Sequence, residues 1–283
     1  MSVAHSRHAA QHTATIGRFI LLCAASLVSL APLIYMVLIA FTSNSFIIGD
    51  PWHEIFAAKS LANFVQAFGE GNIAGGFLNS LLVASVTTVV VVFLSSMMAY
   101  AFARFDFPGK RLFFGLILIE LMVPTIMLII PQFILTRDLG LLDSRLGLML
   151  IYVGTNLAFI TFFLRGFFMG VPRELDEAMM VDGASAWTRY FRLMLPLARP
   201  ALFTAVFFVF EAAWDEYVWA MTIINTPSRQ TLPVVIALFS GNHGTNWGLV
   251  FAATTIALVP TMIVFLIFQR QLVGGMTAGA LKA

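Results

Sequence analysis

Six stretches of this chain are apolar for as long as an α-helix takes to cross a lipid bilayer: Phe19–Phe41, Phe77–Phe102, Leu112–Leu135, Leu146–Phe168, Ala201–Ile224 and Trp247–Phe268. A hydrocarbon core needs roughly 20 helical residues to span it. Within lipid, a backbone must pair its own N–H and C=O groups, so apolar runs of this length fold as helices. The expected fold is all-α, a polytopic membrane protein with six transmembrane helices. Composition agrees: 11% of the residues are charged, against about 25% in soluble domains. The first run is longer than the roughly 7–15 apolar residues of a signal-peptide core, so it reads as an uncleaved span.

Sidedness follows from lysine and arginine, which concentrate in cytoplasmic connections. Of the 16 such residues, Lys59, Arg137, Arg145 and Arg229 lie at one set of helix ends, and the other twelve lie at the opposite set. Both termini are therefore expected in the cytoplasm of a cell (inner or plasma) membrane protein. The chain divides into a cytoplasmic tail (residues 1–18), a transmembrane domain (19–270) with a polar loop at 171–200, and a second cytoplasmic tail (271–283). The outer connections are Thr42–Gly76, Thr136–Arg145 and Asn225–Asn246; the first and last are rich in Gly, Asn, Pro and Trp and offer an external docking surface. His5, His8 and His12 sit in a polar stretch that reads as a disordered tail. Pro124 and Pro131 are expected to bend or break the third span.

The net charge of +2 is scattered rather than pooled, which argues against a nucleic-acid partner. No phosphate-binding GxxxxGK[ST] loop, HExxH pair, Cys/His metal spacing or GxSxG elbow occurs. No catalytic centre, metal site or bound cofactor is expected, and energy for active transport would come from another chain. The single Cys23 has no partner for a disulfide.

The polar loop Val171–Pro200 has the pattern of a folded object. Pro172 suits a first helical turn, and Glu174, Asp176 and Glu177 follow where the helix dipole favours anions. Gly183 can end that helix in a left-handed conformation, and Ser185 can cap the next. Arg189, Arg192 and Arg199 lie towards the far end of the second helix, and Ala178, Met179, Met180 and Val181 form an apolar strip. The pattern reads as a helix–turn–helix between two spans.

Glu174-Leu-Asp-Glu177-Ala178, then Asp182-Gly183-Ala184, then Leu193-Met-Leu-Pro196 resembles the EAA loop of ATP-binding-cassette import permeases, with Met179 where the family has a second Ala. Phe77-Leu-Asn79-Ser80-Leu81, Ala99-Tyr100-Ala-Phe102-Ala-Arg104, Leu164-Arg165-Gly-Phe167-Phe168 and Trp214-Asp-Glu-Tyr217-Val-Trp219 are similar to segments of carbohydrate-uptake permeases. The C-terminal run through Gly275, Thr277, Ala278, Gly279 and Lys282 resembles the end of the maltose-type, six-helix permease.

The resemblance implies a subunit, not itself an enzyme, of a binding-protein-dependent importer. Its implied partners are a second permease subunit, a cytoplasmic ATPase dimer that binds ATP and Mg, and an extracytoplasmic solute-binding protein. It implies that the EAA loop, with Glu174, Glu177, Ala178, Asp182, Gly183, Ala184 and Pro196, is a coupling helix docking into the ATPase. It also implies that the tail at Gly275, Thr277, Ala278 and Gly279 can insert between the ATPase subunits.

The fifth span carries Glu211, Trp214, Asp215, Glu216, Tyr217 and Trp219. A carboxylate at the centre of a membrane helix costs about 2.5–3.5 kcal/mol on insertion scales, so these acids are expected to face protein or water. Two readings stay open. Glu211 and Asp215, four residues apart with Trp214 between, form a face suited to sugar hydroxyls and a sugar ring along the translocation path. Alternatively, Asp215, Glu216 and Tyr217 lie near the outer interface, with the tryptophans in an aromatic belt. Glu120 in the third span either pairs with a polar group of the second permease or contacts solute.

The expected function is half of an ATP-driven import pathway for a sugar-like solute. Alternatives are an import permease for a glycerol phosphodiester or other small polar solute, or a stand-alone ion-coupled carrier. The absence of a convincing internal repeat weakens the last.

Overall fold

The computed structural model describes residues 2–42, 59–70, 72–241 and 244–280, with the side chains of 2–14, 70, 241, 244 and 270–280 outside the description. Two units divide the chain: Met1–Gly71 with Leu238–Ile256, and Asn72–Ala237 with Ala257–Ala283.

The first unit is built on helix α1, Ser2–Ala40. The histidine-bearing segment expected to be disordered is continuous with this helix, since its Ala, Ser and Gln residues contain no proline or glycine to interrupt it. The last carbonyls of α1, which have no partner inside the helix, are satisfied from outside: Lys59 Nζ donates to Leu38 O (3.3 Å) and Asn63 Nδ2 to Ala40 O (3.0 Å). Asn63 lies in the first turn of the short helix α2, Ala62–Glu70. A two-residue hairpin, β1 Ser240–Gly241 with β2 Gly244–Thr245, precedes the last helix.

The second unit is organised on α3, Ile73–Arg104, the longest of its helices, and on α6, Arg145–Met169. Small residues on α3 (Ala84, Ser95, Ala99, Ala103) are buried. They let the two backbones approach closely, which is how membrane helices pack without a hydrophobic driving force. Ser95 Oγ reaches the α6 backbone at Leu157 O, 3.2 Å away.

Between them lie α4, Lys110–Met122, and α5, Ile129–Asp138, joined through a 3₁₀ turn at Thr125–Leu128 and bent by 99°. Pro124 makes this break, because the residue before a proline is pushed out of the helical region, and Val123 is extended (φ −87°, ψ 119°). Pro131 breaks nothing: it sits in the first turn of α5, where no N–H is required.

After α6 come α7, Arg173–Val181; α8, Ala186–Arg189; a π-helical turn, Tyr190–Met194; α9, Leu195–Leu197; and α10, Arg199–Trp214. The fifth span therefore ends ten residues before the expected Ile224, and α11, Val218–Ile223, follows as a separate helix. Helix α12, Leu232–Ala237, packs so closely on Gly76 that a Cβ there would meet Val235 at 3.0 Å. The last helix, α13, runs Trp247–Ala280 and belongs in part to each unit.

Four of these helices are long and apolar enough to cross a membrane, and the number rises to six if the α4–α5 pair and the pair Ala186–Leu197 with Arg199–Trp214, bent by 79°, each count as one span. The upper count agrees with the six expected spans; the third of these is broken at Pro124, and the fifth is interrupted between Trp214 and Val218.

Candidate functional site

The Val171–Pro200 segment folds as an elbow. Pro172 caps α7 rather than entering it, and Glu174 and Asp176 occupy the first turn while Glu177 lies beyond it. Gly183 ends the helix at φ +78°. Its N–H donates to Met180 O (3.0 Å) and that of Ala184 to Met179 O (2.9 Å), the Schellman pairing that glycine permits. Ser185 then accepts from the N–H of Thr188 (3.2 Å) and starts α8. The glycine and the cap thus stand where the spacing predicts.

The polarity of α7 and α8 is inverted. Asp176 and Arg189 are both buried, 3.7 Å apart, one from each arm. Several apolar side chains face outwards, Leu175, Met180, Val181, Trp187 and Phe191 all being exposed and Val181 by 88%, while Val171, Tyr190, Met194 and Ala198 are buried in the core. Of the motif residues, Glu174, Glu177, Ala178, Asp182, Gly183 and Pro196 are exposed, and Ala184 is half-buried. In the apolar strip, Met179 is half-buried and the other three are exposed.

Helix α3 grips both arms. Arg104 Nη2 donates to Phe168 O (3.0 Å) and Val171 O (2.7 Å), tying off the end of α6 where the dipole favours a cation. Ser96 Oγ and Tyr190 Oη share a 2.6 Å hydrogen bond, and Tyr100 Oη donates to Ala186 O (3.4 Å). Sequence spacing does not reveal these anchors: Arg104 and Tyr100 belong to the Ala99–Arg104 motif, but their partners lie 64 to 86 residues away.

At the far end of the second unit, Asp143 forms a clasp at φ +53°. Its carboxylate accepts from the N–H groups of Asn225 (2.9 Å) and Thr226 (2.8 Å) and from Thr226 Oγ1 (2.5 Å), and it pairs with Arg229 at 3.2 Å. The Thr226 bonds hold the Asp143 carboxyl down at about 2. Asn79 Nδ2 donates to Ser228 O and Gln230 O (3.0 and 2.9 Å), and Ser80 Oγ accepts from Leu232 N (2.8 Å). The Asn79-Ser80 pair of the quoted motif thus secures the loop after α11.

The intramembrane acids are rearranged relative to expectation. Trp214 is buried, stacked on Phe210 and edge-on to Phe77, and its indole N–H donates to Ala257 O at 3.0 Å. Its ring is covered by this packing, and no exposed indole stands between Glu211 and Asp215. Asp215 closes the C-terminus of α10 and is exposed, Glu211 is half-buried, and Glu120 is exposed at the end of α4. Tyr217 is half-buried, with its hydroxyl on Met221 Sδ (2.7 Å).

Glu216 is the organising acid. Its carboxylate accepts from Tyr152 Oη (2.5 Å), Trp219 N (2.9 Å) and Ala220 N (3.0 Å). The last two bonds cap α11 and explain why the fifth span restarts there. Trp219 is buried, its indole N–H donating to Gln132 Oε1 of α5. Beside these groups, a cleft of about 230 Å³ opens between the breaks of spans three and five. Trp219 and Glu216 line it with Thr125, Tyr152, Thr155 and Asn156, whereas Glu211, Trp214, Asp215, Tyr217 and Glu120 do not. No metal-binding group of His, Cys, Asp and Glu exists among the described residues. Gly275, Thr277, Ala278 and Gly279 lie on the α13 backbone, their side chains outside the description, and Lys282 lies beyond the described residues.

Residues 91–277 match the family model described as binding-protein-dependent transport system inner membrane component. The chain belongs to this permease family. This permease is 35% identical over 260 residues to the trehalose/maltose transport system permease protein MalG of Thermococcus litoralis, covering 91% of this chain and 93% of that one. It is 31% identical over 259 residues to the diacetylchitobiose uptake system permease protein NgcG of Streptomyces coelicolor, covering 91% and 85%. Its fold is similar to a solved bacterial ABC transporter involved in import of the acidic polysaccharide alginate, with a TM-score of 0.76, 24% identity and coverage of 90% and 95%. The protein is a multi-pass membrane permease of the importer class, which works with a solute-binding protein and an ATPase.

Proposed function

We propose that this permease forms half of the pathway by which a neutral carbohydrate enters the cell. It pairs with a second permease subunit, and the Val171–Pro200 elbow docks on a cytoplasmic ATPase dimer that binds ATP and Mg. Both termini face the cytoplasm, and the α13 tail reaches towards the ATPase. The Asp143 side faces the solute-binding protein.

The observation that carries the reading is the inverted polarity of α7 and α8. A surface helix ordinarily turns its apolar side inwards. Here α7 buries Asp176 against Arg189 and leaves Leu175, Met180 and Val181 uncovered. Such a patch marks a protein interaction site, and two arms fixed to α3 transmit force applied there to the spans. The named carbohydrate systems among its relatives support the substrate class. A phosphodiester substrate is less well served, because the cleft has no Lys or Arg among its lining residues.

The test is reconstitution in proteoliposomes with the partner permease, ATPase and binding protein. Sugar uptake should require ATP and be lost with Gly183→Val. Uptake by this chain alone that collapses with the proton gradient would instead establish an ion-coupled carrier.

A further inference from the structure

The cleft at the two broken spans carries hydrogen-bonding capacity that the fold does not use. Glu216 accepts three hydrogen bonds, two on Oε2 and one on Oε1, whereas a carboxylate has about four acceptor sites. One remains, on Oε1. Asn156 Nδ2 donates to Tyr152 O at 2.8 Å; a carbonyl can only accept, so this end is the amide nitrogen. The Asn156 Oδ1 has no partner among the described residues. Thr155 Oγ1 directs its proton to Tyr152 O (3.3 Å), which leaves its lone pairs facing a donor only at the 3.4 Å Asn156 contact. The Thr125 hydroxyl makes no side-chain hydrogen bond among the described residues.

Two strong donors of the same wall are committed, and the Thr125 hydroxyl can either donate or accept. The Tyr152 hydroxyl serves Glu216, and the Trp219 indole N–H serves Gln132. What the cleft presents is mostly acceptors, with one free hydroxyl at Thr125, a single carboxylate already neutralised in part by three donors, and no cation among its lining residues. An anionic solute would meet Glu216 without compensation. A solute with several adjacent hydroxyl donors matches the acceptors, and Ile151, Ala212 and the body of Trp219 supply an apolar wall for its C–H face. At about 230 Å³, the space is below the roughly 300–1,000 Å³ of pockets for drug-sized ligands, so it suits one sugar ring rather than a chain.

We propose that this permease itself holds one hydroxyl-rich, uncharged ring of the solute, at Asn156, Thr155 and Glu216. The proposal rests on the importer reading above, and it adds that the contact is made by this chain and not only by a second permease.

The experiment uses the full complex, incubated at millimolar concentration with an equimolar mixture of neutral mono- and disaccharides, glycerol 3-phosphate and putrescine. Retained solute is identified by mass spectrometry after rapid desalting. Wild type should retain a neutral saccharide, and Asn156→Leu and Thr155→Val should each retain at least tenfold less, with the complex intact by size-exclusion chromatography. Thr155→Ser, which keeps the hydroxyl, should restore retention. Equal retention by wild type and Asn156→Leu overturns the proposal, as does preferential capture of putrescine or glycerol 3-phosphate, or no retention at all. ATP-driven uptake by the same wild-type complex separates the two ideas: uptake with unaltered retention in the variants removes only the cleft site, whereas no uptake of any mixture component removes the importer reading.

Discussion

Asp176 and Arg189 meet at 3.7 Å across the Gly183 turn, both buried, in a helix pair whose apolar side chains point away from the protein. The pair joins the two arms of the elbow, while Arg104 and Ser96 fasten those arms to α3. The elbow is therefore a rigid body rather than a loose connector.

Breaking a buried pair by removing one member leaves an uncompensated charge, which costs about 3–5 kcal/mol. Arg189→Ala should lower the thermal midpoint of the purified protein and weaken ATPase co-purification. Asp176→Asn with Arg189→Gln should recover much of the loss. A double variant no better than the single one would show that the pair does not hold the arms.

Gly183 has open space around its Cα, so its constraint is conformational: φ is +78° and no neighbour lies within 4 Å of an added Cβ. Asn tolerates the left-handed region and β-branched residues do not. Gly183→Asn should keep most ATP-driven uptake, whereas Gly183→Val should uncouple ATP hydrolysis from uptake or prevent assembly. Full uptake by a stable Gly183→Val protein would count against the lever.

The Tyr152–Glu216 hydrogen bond ties α6 to the start of α11. Hydrogen bonds to charged groups contribute about 1.5–3 kcal/mol. Tyr152→Phe should destabilise by that order and speed hydrogen exchange at the Trp219 and Ala220 amides, which Glu216 caps. Exchange unchanged at both amides would mean that the tyrosine does not position the carboxylate.

The Asp143 clasp predicts a pH dependence. Its carboxyl is held at about 2, below the ordinary value, chiefly by the Thr226 hydroxyl and N–H. A depressed carboxylate pKa contributes stability that is present above the unfolded value, near 4, and is lost as pH falls through the folded value. Asp143→Asn should therefore melt below wild type at about pH 6, and the difference should shrink towards about pH 2. A gap independent of pH would show that the charge on Asp143 contributes nothing to the clasp.

How much of this was legible beforehand depends on the range of each interaction. The Gly183 cap, the Ser185 cap and the Pro124 break are local, set by one residue and its neighbours, and each stands where the spacing puts it. Trp214 and Glu216 take roles that no short spacing announces, because their partners are distant. The indole reaches Ala257, 43 residues on, and the carboxylate reaches Tyr152, 64 residues back. Nothing near either residue distinguishes a packing indole from an exposed one.

The amino-acid order determined the number of spans, the side on which positive charge gathers, the elbow and its family, because bilayer thickness, backbone sterics and short spacings act along the chain. Tertiary structure alone decided which faces of the uniformly apolar helices meet. It also decided that Asp176 is buried beside Arg189, and that two broken spans open a polar cleft. A helix that is apolar all round carries no stripe to orient it, so its facing is set only when small residues, hydroxyls and carboxylates from remote segments find one another.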